Sequence, residues 1–417
     1  MLLVRRGRNL QRRFKSHRVS RLPADGPGFY DFVSSQPLPR RTTTTTEEER
    51  SLLLADTTAK LMASKQEYLG DRFGRFHNYL RISLTERCNL RCTYCMPSDG
   101  VPLSPRDDLL TTEEIERLAL VFAAMGTTKV RLTGGEPTLR KDLVEVCRSI
   151  SSLDGVESLG MTTNGVALLK KTGTDRTLLL DLYEAGMRSI NISLDSVRSE
   201  TFETLTRRPA KTALKVLEAV QVASKLPGLK VKINCVVMRG QNDTQLPEFI
   251  RYFLEHTTNV DVRFIEWMPF NANEWDQKIL VSLKDIIDIL QNDNLKVRAL
   301  DPVDPNDTTK WFRVKESSHE EKSLRVGVIS SMTDHFCGGC NRLRITSDGA
   351  LKTCLFGDDA LSLRDLMRQG KEDQELAFAV KKALTKKHFA HGGKGQDGAA
   401  SIARASDTNR PMILIGG

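Results

Sequence analysis

From about residue 72 the chain takes on a repeating texture in which six short apolar, β-branched runs alternate with longer stretches of helical period. The runs cover 80–85, 129–134, 158–163, 189–194, 231–238 and 260–268. Between them, 112–125, 140–153, 176–185, 200–224 and 245–256 repeat their apolar residues every three or four positions. Thr111 or Thr112, followed by Glu113 and Glu114, reads as a helix N-cap. Such alternation predicts βαβ units on a parallel sheet. Each run ends in polar or glycine-rich residues: Thr85-Glu86-Arg87-Cys88, Gly134-Gly135-Glu136, Thr163-Asn164-Gly165 and Asp195-Ser196. Chemistry in parallel α/β barrels sits at the C-terminal strand ends, so these residues are expected at one mouth. Six units predict a partial, open barrel.

Past residue 280 the alternation stops. A helix over 284–292 precedes short strand candidates at 296–300, 310–314, 324–329, 343–346 and 351–355, then helical segments at 361–369 and 373–387. This half reads as a smaller α+β domain. The expected division is a leader over 1–22, a linker with a short helix (51–66) over 23–71, the barrel over 72–280 and the smaller domain over 281–417.

The net charge of +9 changes little in this picture, because residues 1–22 hold eight Lys or Arg and no acid, and without them the remainder stands at +1. No basic, aromatic-studded face for nucleic acid is evident. The Arg-rich, acid-free start fits a mitochondrial transit peptide, which places the chain in a reducing matrix. The sequence holds no stretch long and apolar enough for a membrane helix, so membrane insertion is not expected. The eight cysteines then read as metal or redox chemistry.

Three of them form Cys88-x3-Cys92-x2-Cys95, in a loop just after the first strand. Three thiolates are one short of a closed zinc site and suit a 4Fe–4S cluster with one open iron. Arg87 and Arg91 are placed to offset its negative charge. A second triad, Cys337, Cys340 and Cys354, spans a hairpin with Ser347-Asp348-Gly349 at its turn. Taken alone it leaves open a zinc ribbon, with His335 or His319 as fourth ligand, or a second cluster. Arg342 and Arg344 alternate beside it and so share one face. Arg81, Arg131 and Lys232 come from three strands that a barrel mouth brings together; each taken alone reads as a solvated basic residue or a structural ion pair. Cys147 and Cys235 read as buried packing residues, His388 and His391 as a solvated helix end, and Asp195 has no firm role.

These motifs, with Thr133-Gly134-Gly135-Glu136-Pro137, the stretch Asp71-Arg72-Phe73-Gly74-Arg75, Asn191-Ile192-Ser193-Leu194-Asp195, Arg263-Phe264-Ile265-Glu266 and the Gly416-Gly417 end, resemble the radical S-adenosylmethionine (radical SAM) family. Within it they resemble the MoaA-type GTP 3′,8-cyclases of molybdenum cofactor biosynthesis, in their mitochondrial version, from about Asp71 onward. The resemblance implies an α/β fold, a partial (β/α)6 radical SAM barrel with a C-terminal α+β domain carrying a second iron–sulfur cluster. It implies a lyase with two 4Fe–4S clusters, on Cys88, Cys92 and Cys95 and on Cys337, Cys340 and Cys354. S-adenosylmethionine is expected against Tyr94, Gly135, Thr162 and Ser193. GTP is expected against Arg81, Arg131, Lys232, Met268, Arg342 and Arg344, the last two also completing the reaction as catalytic residues, with Gly416-Gly417 reaching into the site. The implied chemistry is abstraction of the GTP 3′ hydrogen by a 5′-deoxyadenosyl radical and closure onto guanine C8. Implied partners are cyclic pyranopterin monophosphate synthase downstream and a reductase or ferredoxin-type electron donor; a homodimer is allowed. The competing readings are a peptide-modifying radical SAM enzyme with an auxiliary cluster and a zinc-binding nucleic-acid module. The three C-terminal cysteines and the Arg342/Arg344 pair favour the cyclase.

Overall fold

The computed structural model describes residues 68–393, except 303, 305, 317 and 318, together with 410–416. The expected transit peptide, linker and helix at 51–66 lie outside the described residues, as does Gly417.

The alternation is realised as β1 (Tyr79–Ser83), α1 (Thr112–Ala124), β2 (Lys129–Thr133), α2 (Leu143–Ser151), β3 (Ser158–Thr163), α3 (Leu178–Glu184) and β4 (Ser189–Ser193). It continues through α4 (Ser199–Thr206), α5 (Lys211–Ser224), β5 (Lys230–Val237), α6 (Leu246–His256) and β6 (Val260–Glu266). Thr111 caps α1 with a reciprocal box: its hydroxyl accepts from the Glu114 N–H at 3.2 Å, and the Glu114 carboxylate accepts from the Thr111 N–H at 2.9 Å. The expected single helix over 200–224 is two. Arg207 adopts a left-handed φ of 53° between α4 and α5, and Pro209 disfavours helical backbone in the residue before it.

The C-terminal half supplies α7 (Leu283–Asn292), β7 (Leu295–Ala299), β8 (Lys310–Glu316), β9 (His319–Ile329), β10 (Arg342–Ile345), β11 (Ala350–Lys352), β12 (Leu361–Ser362), α8 (Leu363–Arg368), α9 (Asp373–Thr385) and α10 (Met412–Ile415). Its strands do not form a sheet of their own. One twelve-stranded sheet runs β12-β11-β10-β1-β2-β3-β4-β5-β6-β9-β8-β7. β10 lies parallel to β1 and β9 parallel to β6, so the parallel run expected to hold six strands holds eight. The hairpins β10–β11 and β8–β9 are antiparallel, which turns each flank outward.

Helices cover the outer face. Leu80, Ile82, Val130, Leu132, Ile190, Ile192, Val231 and Ile233 pack against Leu118, Phe122, Val146, Ile150, Val216 and Phe249 in one core cluster. Cys147 and Cys235 are both fully buried within it, as expected. The alternate strand positions point inward and are polar. Because those positions on β10, β1 to β6 and β9 line a single cavity, the sheet curls around it. No helix among the described residues is long and apolar enough to cross a membrane.

Candidate functional site

Cys88, Cys92 and Cys95 share a small cavity of about 100 Å³ with Tyr94, Gly135, Thr162, Ser193 and Asp195. The cysteine loop is held mainly through its backbone. The Arg91 guanidinium donates to the carbonyls of Cys88 at 2.7 Å and Leu90 at 2.8 Å, so it shapes the loop as well as offsetting charge. Arg207 and Arg208, at the break between α4 and α5, reach back to it. Arg207 donates to the carbonyls of Arg91 and Met96 at 3.1 and 3.0 Å, and Arg208 to that of Asn89 at 2.6 Å. The Arg87 side chain is exposed; its carbonyl, not its charge, is built into the site, accepting the Glu136 N–H at 2.8 Å.

That contact explains Gly134-Gly135-Glu136. A Cβ on Gly135 would lie 2.4 Å from the Arg87 carbonyl oxygen, and one on Gly134 2.6 Å from that of Thr85. The backbone that presses on these glycines is the cysteine loop itself. Glu136 is completely buried. Its carboxylate accepts from the Thr163 hydroxyl at 2.7 Å, the Asn164 N–H at 2.7 Å, and the Thr138 hydroxyl and N–H at 2.6 and 3.0 Å. It therefore rivets the ends of β2 and β3 together. Burial raises its pKa despite these donors. Burial also pushes the Cys95 thiol up to about 12, with Cys88 and Asp195 adding to the effect. Bare thiols here resist ionisation, and only a bound cation would reverse that.

The second cavity is large, about 750 Å³. Strand register lays its cations in rows: Arg344, Arg81 and Arg131 are neighbours across β10, β1 and β2, and Asn191 and Lys232 across β4 and β5. Eleven basic side chains line the cavity against four aspartates. Arg131 donates to the Tyr79 hydroxyl at 2.6 Å, the Met161 carbonyl at 3.0 Å and the Ser189 hydroxyl at 3.2 Å, and Gly160 on β3 leaves room for its guanidinium. Burial and the neighbouring Arg263, Lys230 and Arg131 lower the Lys232 pKa to about 7. Burial and crowding likewise bring Arg263 and Arg344 down to about 10. Tyr79 shows the reverse: burial would raise its phenol, but Arg131, Arg81, Arg342 and Lys129 outweigh it and bring the value to about 6. Like charges forced together in a desolvated space destabilise one another, and an anion among them relieves that repulsion.

Cys337, Cys340 and Cys354 line the same cavity, beside Arg342 and Arg344. The second triad is fastened from the N-terminal side. Arg75, paired with Asp71 at 2.7 Å, donates to the carbonyls of Cys337 at 2.7 Å and Phe389 at 2.8 Å. Lys387 lies between His77 and Cys340. Burial would raise the Cys340 thiol, but Lys387, Arg342 and Arg75 outweigh it, and its pKa falls. Among the described residues no three Cys, His, Asp or Glu side chains converge on a point where a single metal ion would sit. His391 is not a solvated end: it is buried, lines the cavity and meets His335 edge to face at 4.7 Å.

The two cavities share a wall. Tyr94, Thr162, Ser193, Asp195 and Met412 line both. Asp195, without an assigned role from sequence, holds the Tyr94 hydroxyl at 2.9 Å and the Val236 N–H at 2.9 Å. The chain end also enters here. Ile413 and Ile415 are buried, and the Gly416 carbonyl accepts from the Thr133 hydroxyl and from Arg344, both at 3.3 Å. The backbone of Gly416 takes φ 78°, and a Cβ on it would meet the Thr133 hydroxyl at 2.5 Å. The residues that the resemblance assigned to S-adenosylmethionine and GTP line these cavities: Gly135 the smaller, Arg81, Arg131, Lys232, Met268, Arg342 and Arg344 the larger, and Tyr94, Thr162 and Ser193 both. Sequence reasoning passed over Tyr79, Lys129, Arg207, Arg208 and Lys387, and gave Arg263 no role beyond its motif. For Arg207 and Arg208 the signal was the following Pro209.

The radical SAM superfamily profile matches residues 82–253, and the Molybdenum Cofactor Synthesis C profile matches residues 260–393. The chain is 44% identical over 351 residues to "GTP 3′,8-cyclase, mitochondrial" of Arabidopsis thaliana, covering 84% of each chain. It is 38% identical over 331 residues to "GTP 3′,8-cyclase" of Rhodopirellula baltica, covering 79% of this chain and 88% of that one. It is 43% identical over 354 residues to "Molybdenum cofactor biosynthesis protein 1" of Dictyostelium discoideum, covering 84% of this chain and 52% of that protein. The chain spans about half the length of that relative, and of the like-named protein of Bos taurus (51%).

Proposed function

Because the chain belongs to the GTP 3′,8-cyclase family of the radical SAM superfamily, we propose that it converts GTP to (8S)-3′,8-cyclo-7,8-dihydro-GTP, the opening reaction of molybdenum cofactor biosynthesis. The observation that carries this reading is the wall common to the two cavities, which puts a cysteine triad suited to an open-iron cluster beside a cationic chamber suited to a triphosphate. In this reading Cys88, Cys92 and Cys95 hold a 4Fe–4S cluster, and Tyr94, Gly135, Thr162 and Ser193 surround S-adenosylmethionine. The cluster and S-adenosylmethionine, held by these residues, would supply 5′-deoxyadenosyl radical chemistry directed at the ribose of GTP.

The chain's own residues do the rest. Arg81, Arg131 and Lys232 supply the charge for the triphosphate from three strands, with Met268 on the same wall. Arg342 and Arg344 are assigned to the base end, next to the second triad. Cys337, Cys340 and Cys354 are read as holding a second cluster: they are three where a closed zinc site takes four, and cations flank Cys340. Gly416 is tied to Arg344 and to Thr133 at the edge of this wall. The reading includes two working parts, 72–280 and 281–417. It also includes a mitochondrial matrix location, supported by the Arg-rich residues 1–22 and the relative named mitochondrial. A low-potential reductase or ferredoxin-type donor and a cyclic pyranopterin monophosphate synthase follow as partners.

The test is formation of 5′-deoxyadenosine by the anaerobically reconstituted chain with reductant, S-adenosylmethionine and each nucleotide in turn. GTP alone should raise it well above the uncoupled background and yield a cyclised guanine product. Equal background with every nucleotide would sink the cyclase reading while leaving the radical SAM fold intact.

A further inference from the structure

Lys387 follows α9 and, at 3% exposure, is one of the most buried lysines among the described residues. A buried ammonium is costly unless its charge and its donors are met. Its Nζ lies 2.7 Å from His77 Nε2 and 3.8 Å from Cys340 Sγ. His77 is itself completely buried, and its Nδ1 sits 3.0 Å from the Leu69 carbonyl. A carbonyl only accepts, so Nδ1 carries the ring hydrogen, Nε2 offers a lone pair, and the lysine is the donor. Asp71 does not pair with it directly, because its carboxylate is held by Arg75 at 2.7 Å. Among the described residues no carboxylate pairs with Lys387. The negative groups that favour its charge most are the sulfurs of Cys340 and Cys354, with Asp71, already held by Arg75, adding less.

We propose that Lys387 is the fixed counter-charge of the second cysteine triad, its ammonium donating to Cys340 Sγ and stabilising the reduced, more negative state of the cluster that the triad holds. This rests on reading Cys337, Cys340 and Cys354 as cluster ligands. The physics is that of any iron–sulfur site: hydrogen bonds to the sulfurs and nearby positive charge raise the reduction potential. His77 is the positioning residue. It has its hydrogen anchored on Leu69 and presents a lone pair that aims the ammonium without competing for its charge. From sequence alone Lys387 looks like a solvated lysine after a helix; the 69–77 segment packing behind it turns it inward.

The experiment uses the full chain with Cys88, Cys92 and Cys95 changed to Ala, so that the second cluster is read alone. About four irons and matching sulfide in this parent sustain the cluster reading; their absence overturns that reading whatever Lys387 does. Redox titration followed by electron paramagnetic resonance then compares Lys387→Met with the parent. The reduced-to-oxidised ratio at a fixed potential should fall about tenfold, a shift of about 59 mV for a one-electron couple, and Lys387→Arg should restore it. An unchanged midpoint at equal iron content overturns the proposal. If Lys387→Met holds no iron, retention by Lys387→Arg sustains the role of charge, whereas loss in both variants overturns it in favour of packing alone.

Discussion

The Tyr94 hydroxyl donates to Asp195 Oδ2 at 2.9 Å inside the wall common to the two cavities, and both side chains are buried. The other carboxylate oxygen accepts the Val236 N–H at 2.9 Å, and Asn273 donates to the Tyr94 carbonyl at 3.1 Å. The residue before the last thiolate of the first triad is thus fixed to β5 through one carboxylate. Tyr94→Phe leaves a buried oxygen without its donor, at a cost of about 1–3 kcal/mol. Asp195→Asn should cost far less, since an amide donates where the carboxylate accepted and the phenol oxygen can accept in return. Chemical denaturation of the cluster-free chain reads both. A Tyr94→Phe variant as stable as its parent would remove the wall's anchor from this account.

Gly135 yields a sharper expectation. A methyl group there would sit 2.4 Å from the Arg87 carbonyl oxygen and 2.7 Å from that of Glu86, backbone atoms with no rotamer to retreat into. Gly135→Ala must push the strand end that leads into Cys88, which costs about 1–3 kcal/mol or more. Iron on the first triad should be lost while the second triad keeps its share, so total iron falls to about half of the parent's two-cluster content. Gly173→Ala is the control: it sits in an exposed turn, where a Cβ meets nothing closer than 3.8 Å. Full iron in Gly135→Ala would mean that the loop does not depend on this close approach.

Arg75 ties the segments at 71–75 and 388–389 to the second triad. Its fork serves Asp71 and the carbonyls of Cys337, Phe389 and His388 at once. Lys offers a point charge instead of a planar fork, so Arg75→Lys leaves buried carbonyls unmet and Asp71 poorly paired. A loss of about 3 kcal/mol is expected for breaking a buried pair. Hydrogen exchange should rise first at 337–340 and 388–389 while the backbone around Cys88 stays protected. Uniform loosening of both triads would contradict this division.

Much of this was legible in the chain because βαβ periodicity is a local signal. The six runs from 80 to 268 became β1 to β6 with ends moved by a residue or two. Strand order is not local. Nothing in the short strands at 324–329 and 343–346 told that they would flank β6 and β1 and widen the parallel sheet to eight. The same limit hid Lys387 and His391, whose surroundings come from segments far along the chain. The cysteine triads and paired arginines stood out because their chemistry is written in adjacent residues. Glu136 stood out for its motif, yet its carboxylate proves to be the bond between β2 and β3.

Lys232 gives the chamber a pH signature. Burial and the neighbouring Arg263, Lys230 and Arg131 hold its pKa at about 7, against about 10.4 in an unfolded chain. Between those values the unfolded chain binds the proton and the folded chain does not, so stability from this group rises with pH across that window. Nucleotide binding reverses the sign. A triphosphate favours the ammonium form, so above pH 7 each bound nucleotide draws a proton onto Lys232, and affinity falls as pH rises until the pKa of the complex is reached. Calorimetry of GTP binding at pH 8.5, in two buffers of different ionisation enthalpy, should show net proton uptake, because the free phosphates are already deprotonated there. Lys232→Met should remove about one proton of that uptake and flatten the decline in affinity. Uptake unchanged in Lys232→Met would take Lys232 out of the anion site and leave Tyr79, brought to about 6 by the same cations, as the group that titrates.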